Sequence, residues 1–77
     1  MSVDVKLYGE QENYSPEEGN FFNLELSQGA TAAYLLTVLS IPDEVQRFIL
    51  INGKRCEENS LLRDGDTVTV LTPVSGG

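Results

Sequence analysis

Ala32, Leu35, Leu36 and Leu39 fall at i, i+3, i+4 and i+7, the spacing that lines one face of a helix. On either side the apolar residues alternate with polar ones instead, which is the period of a half-buried strand. Upstream, Val3, Val5 and Leu7 alternate with Asp4 and Lys6, and Phe22, Leu24 and Leu26 with Asn23 and Glu25. Downstream, Val68 and Val70 alternate with Thr67 and Thr69. A helix with one apolar face, set between strands with one apolar face each, has to bury that face against their sheet.

The boundaries are legible from local chemistry. Thr31 is placed to cap the helix with its hydroxyl, although Tyr34 stands where a reciprocal capping box needs Glu or Gln. Pro42 disfavours helix at Ile41, so the helix is expected over roughly Thr31–Ser40. Gly9–Asn20, GEQENYSPEEGN, is polar and punctuated by Gly and Pro, and reads as a loop. Phe48–Ile51 is apolar at every position, and Asn52-Gly53 after it is the favoured pair for a tight hairpin turn. Lys54–Cys56 is then a short partner strand. Glu57–Asp66 reads as loop, with Leu61 and Leu62 expected to turn inward.

The order is strand, strand, helix, strand, short strand, strand. One helix on one face of a mixed sheet is an α+β roll, with the first and last strands parallel and adjacent. That is the β-grasp arrangement, the fold of ubiquitin. The expected core is Val3, Val5, Leu7, Phe22, Leu24, Leu26, Ala32, Leu35, Leu36, Leu39, Ile49, Ile51, Val68 and Val70. Residues 1–72 form the domain, and 73–77 a tail.

Composition removes many functions. The 77 residues include one Cys and no His. Neither an internal disulfide nor a His/Cys metal site can be built, and no His-dependent nucleophile is available. There is no phosphate-binding Gly-Lys-Ser/Thr loop. Asp64-Gly65-Asp66 has part of a calcium loop but not the further carboxylates at the required spacing, so it reads as a turn. Cys56 reads as a small apolar filler, and Glu17-Glu18 and Glu57-Glu58 as solvated charge. No bound metal or cofactor is expected.

The net charge is −7, and residues 1–46 hold eight acids against Lys6 alone. Such a chain is repelled by nucleic acid and by anionic membranes, and it suits basic protein partners. No leader or membrane-spanning run is visible. With a single Cys, a reducing, cytoplasmic location is expected.

The sequence ends on Pro73-Val74-Ser75-Gly76-Gly77. Pro73 cannot donate to a sheet ladder, so the chain is expected to leave the sheet there as an extended arm. Gly is a poor residue for anchoring an end, but two Cβ-less residues can thread a narrow channel and leave a terminal carboxylate unhindered. The chemistry that needs this is activation of the Gly77 carboxylate by an enzyme that engulfs the tip. Sheet alternation supplies a docking surface, because burial of Ile49 and Ile51 leaves Phe48 and Leu50 facing out, and Leu71 with them.

"ILINGK" (49–54), "LLRDGDTVTVL" (61–71) and "PVSGG" (73–77), in this order and spacing, resemble the MoaD/ThiS family of ubiquitin-like sulfur carriers over nearly the whole chain. The proline-led tail is more similar to the MoaD branch, the small subunit of molybdopterin synthase. The acidic loop Gly9–Asn20 departs from that branch, which commonly carries an apolar, Arg-containing segment there.

The resemblance implies a carrier rather than an enzyme. An adenylating, ubiquitin-activating-type partner would use ATP to form a glycyl-adenylate at Gly77, with Gly76 beside it. A sulfur donor would displace AMP, leaving a thiocarboxylate. Pro73, Val74 and Ser75 would line the arm, and Phe48, Leu50 and Leu71 would contact partners. The acceptor would be the large subunit of molybdopterin synthase or another sulfur-accepting enzyme. A ThiS-type thiazole carrier, a protein modifier conjugated through Gly77 and a non-conjugated interaction module remain alternatives.

Overall fold

The computed structural model describes residues 1–16 and 18–73. The strands are β1 (Ser2–Leu7), β2 (Phe21–Glu25), β3 (Phe48–Ile51), β4 (Lys54–Cys56) and β5 (Thr67–Leu71), with one helix, α1 (Ala32–Val38). They form a mixed sheet in the order β2-β1-β5-β3-β4. β1 and β5 are central and parallel, with Val5 beside Val68 and Leu7 beside Val70. The remaining neighbours are antiparallel. This is the β-grasp roll.

The helix lies on the face to which Val3, Val5, Leu7, Ile49, Val68 and Val70 point, and the core closes with Leu35, Leu36 and Leu39. Each end of α1 has a specific device. Thr31 Oγ1 accepts from the Tyr34 amide at 3.2 Å. The Ala32 and Ala33 amides donate to the carbonyls of Ser60 and Glu58, so the 57–62 segment satisfies donors that a helix start leaves free. At the other end Ser40 adopts φ +60°. The Ser40 amide donates to Thr37 O and the Ile41 amide to Leu36 O, each at 3.0 Å, a Schellman closure. The stop therefore comes from Ser40, ahead of Pro42.

Asn52 and Gly53 both have positive φ, as the tight β3–β4 turn requires. The Asp64-Gly65-Asp66 segment is a backbone clamp. The Ser2 amide donates to Asp64 Oδ1 at 2.7 Å, and the Arg63 amide to Asp66 Oδ2 at 2.8 Å. Gly65 donates to Ser2 O at 2.7 Å, so the turn is stitched to the start of β1.

Several expectations need correction. Leu24 and Ile51 pack against the core but are only partly buried, because their strands lie beside or at the sheet's edges. Ala30, Ile41 and Leu62 join the core. Leu61 is 66% exposed rather than inward; its bridge to Thr31 gives this stretch strand alternation, so only Leu62 turns in. Residues 9–20 are not all loop. Gly9–Tyr14 is a 3-10 helix, and its Gln11 is fully buried.

Candidate functional site: the end of the central strand and the outer sheet face

β5 ends at Leu71, between β1 and β3, and the chain runs on through Thr72 and half-buried Pro73. The Thr72 hydroxyl accepts two hydrogen bonds from the 3-10 helix, from the Glu10 amide at 3.0 Å and from Gln11 Nε2 at 3.1 Å. A hollow of about 360 Å³ beside them is lined by Glu10, Glu44, Gln46, Thr72 and Pro73. Val74, Ser75, Gly76 and Gly77, expected as the arm and the reacting end, lie outside the described residues.

On the far side of Pro73, Arg47 organises the approach to β3. Its guanidinium donates to both Glu58 carboxylate oxygens, at 3.1 and 3.2 Å, and to Pro42 O at 2.8 Å. The Glu58 hydrogen bond, with Asp43 adding to it, raises the Arg47 pKa above its ordinary value despite burial. The group is a permanent cation that holds the 42–47 connection against the 57–60 turn.

The sheet face away from the helix carries the three apolar residues singled out in the sequence. Phe48 is opposite Leu71, and Leu50 opposite Thr69; Phe48, Leu50 and Leu71 are half-buried. The cross-strand row through Leu50 reads Phe21, Lys6, Thr69, Leu50, Arg55. Lys6 Nζ lies 5.3 Å from the centre of the Phe21 ring, and Arg55 Cζ 4.9 Å from that of Phe48. Both are cation–π distances. The charges in this row are thus cationic, while Asp4, beside Thr67, adds a carboxylate to the same face.

Sequence reasoning missed Phe21, 60% exposed, along with Lys6, Arg55, Gln11 and Thr72. Strand alternation could have placed the first three on this face once the register was known. Nothing in an acidic, Gly-punctuated stretch marks Gln11 as buried. Among the described residues, no group of His, Cys, Asp and Glu is suited to a metal ion, and no helix is long and apolar enough to cross a membrane.

Fold and site together define a class: a ubiquitin-like β-grasp domain whose central strand releases the chain beside an apolar, cation-bearing sheet face. Residues 5–77 match the ThiS family, and the chain belongs to this family of small ubiquitin-like sulfur carriers. No curated protein sequence matches it.

Solved structures are similar over their full length. SAMP1 from Haloferax volcanii has a TM-score of 0.78 at 20% identity, with 100% of both chains covered. Small archaeal modifier protein 1 from Methanosarcina acetivorans has 0.70 at 26%, covering 99% of this chain and 96% of its own. A chain of the complex of subunits 1 and 2 of molybdopterin-converting factor from Helicobacter pylori has 0.67 at 24%, with 100% of both covered. The first and third of these likenesses show the fold alone.

Proposed function

We propose that this protein carries sulfur as a thiocarboxylate on Gly77, for use in molybdopterin biosynthesis. The observation that supports this most is that the ThiS family match runs through the Gly-Gly pair to Gly77. An adenylating partner binds ATP and the arm, and the Gly77 carboxylate attacks the α-phosphorus to give a glycyl-adenylate and pyrophosphate. A sulfur donor then displaces AMP. The domain itself supplies no catalytic group, only a carboxylate on a positioned arm. ATP belongs to the activating partner, and the chain binds no cofactor of its own.

The apolar group Phe48, Leu50 and Leu71 is the docking face for the activating enzyme and for the acceptor, with Pro73, Val74 and Ser75 following it into their channels. An apolar face of this kind marks a partner surface. Lys6 and Arg55 favour a partner surface that bears carboxylates. The molybdopterin-converting factor of H. pylori has its subunit 1 in a complex with subunit 2. By analogy, the acceptor here is a large subunit of that kind.

A second reading is favoured by the similarity to small archaeal modifier protein 1, namely conjugation to lysines through Gly77. Both readings need a free Gly77 carboxylate. Deleting Gly77, or adding Ala after it, should abolish ATP-dependent activation and leave folding unchanged. Normal activation of the Ala-extended chain contradicts both. Peptide mass spectrometry then separates them, since a modifier is found joined to lysine side chains.

A further inference from the structure

We propose that Gln11 is a positioning residue. With Gly9 and Thr72, it replaces a sheet rung that Pro73 cannot make, and so fixes the direction in which the arm leaves β5. The β3–β5 register shows what is missing. The Asn52 amide donates to Thr67 O, so Asn52/Thr67 is a hydrogen-bonded pair. Every second pair along an antiparallel ladder is of the same kind. Leu50/Thr69 and Phe48/Leu71 follow, and the next pair of this kind, if the register were continued past the strand ends, would set Gln46 opposite position 73. There the Gln46 carbonyl should receive an amide N–H, but Pro73 has none.

Gln11 supplies it from elsewhere. Its Nε2 donates to Gln46 O at 3.0 Å and to Thr72 Oγ1 at 3.1 Å. One side-chain amide thus ties the entry of β3 to the exit of β5, at the point where the ladder stops. The Glu10 amide adds a second bond to the same hydroxyl at 3.0 Å. Gly9 permits the approach. It sits at φ +64°, and a Cβ there would stand 2.5 Å from Thr72 Oγ1 and 2.8 Å from Thr72 Cβ.

Space-filling alone does not account for Gln11. The side chain is fully buried, and its Oε1 has no hydrogen-bond partner among the described residues. A buried acceptor left unpaired is costly; an apolar side chain of similar volume would avoid that cost but would leave the Gln46 carbonyl without this donor. What an apolar residue would not provide is the pair of directed bonds to Gln46 and Thr72. These hold the arm's root at a fixed angle to Phe48 and Leu71, so that docking of the face aims the arm. Such pre-orientation acts on the rate of the bound complex rather than on its formation.

The inference rests on Gly77 being the reacting end, and its test keeps the two separable. Gln11→Leu, Thr72→Val and the conservative Thr72→Ser are made in the full chain. Residual dipolar couplings of the Thr72 N–H and the Pro73 Cα–Hα are measured against those of β5. ATP-dependent activation of Gly77 is followed by intact mass with the adenylating enzyme of the source cell. Gln11→Leu and Thr72→Val should reorient both bond vectors and lower kcat about ten- to a hundredfold with KM unchanged, while Thr72→Ser restores both. Unchanged couplings in Gln11→Leu and Thr72→Val overturn the clasp, as does a Thr72→Ser chain no better than Thr72→Val. Changed couplings with unchanged kcat reduce the clasp to a structural role. If even the unmodified chain is not activated, the proposed function fails, and the couplings still decide whether the clasp directs the arm.

Discussion

Phe48 stands directly opposite Leu71 across the β3–β5 ladder, with the Arg55 guanidinium 4.9 Å from the centre of its ring. The pair lies two residues before Pro73, so whatever grips this face also grips the root of the arm. Phe48→Ala and Leu71→Ala should each weaken binding of the activating enzyme by about 1–2 kcal/mol, as truncation of a central interface anchor does. Both residues are outside the core, so thermal unfolding should shift little. Isothermal titration beside a melting curve checks this, and unchanged binding by both variants would remove the docking role. Arg55→Glu should slow association at low salt, and added salt should erase much of the difference.

The helix is held to the sheet by a few side chains. Leu36 is 2% exposed and belongs to the core cluster. Leu36→Ala should cost about 2–5 kcal/mol through lost burial and the cavity left behind. In a domain of this size that is a large share of the total. Urea unfolding measures it, and a loss well below this range would mean the helix is not packed as described.

Ser40 holds a left-handed backbone conformation at the end of α1 without being glycine. Relief of its Cβ strain should make Ser40→Gly more stable by about 1 kcal/mol, provided the Schellman bonds are kept. A lower melting temperature for Ser40→Gly would show that the Ser40 side chain has a compensating role.

Arg47 is the buried partner of its ion pair, and Glu58 the more exposed one. Arg47→Met should cost about 1.5–3 kcal/mol, in the range of hydrogen bonds to charged groups. The fully exposed Asp43 contact should contribute little of this. The folded-state pKa of Arg47 is raised. Its stabilisation is therefore complete below the unfolded-state pKa and lost only as pH rises through the folded value. Titration of Arg47 itself should leave stability flat across neutral pH, which unfolding curves at several pH values can check.

The fold was legible because local signals agreed. The helical spacing of Ala32 to Leu39, the Asn52-Gly53 turn and the Thr67–Val70 alternation each specify one conformation, and together they specify the roll. The outward placement of Phe48 and Leu50 was legible for a related reason: Phe48–Ile51 is apolar on both alternations, and a helix covers only one side. Gln11 was not legible, because its burial goes with bonds to Gln46 and Thr72, both far away in the chain, and no local pattern encodes those contacts. The two cations beside Leu50 were not legible in the total charge. Net charge counts the acids of residues 9–20 equally with Lys6 and Arg55, and only the strand register shows which of them share the face with Leu50.

The proposed chemistry resides in one functional group, the carboxylate of Gly77. Intact-mass measurement of the protein purified from its native cell, without alkylating or oxidising agents, tests it most directly. A carrier should include a form heavier than the sequence mass by the difference between sulfur and oxygen, located to Gly77 by fragmentation and lost when the adenylating enzyme is deleted. A chain found only at its sequence mass, or only as a branch on lysines of other proteins, would contradict the account.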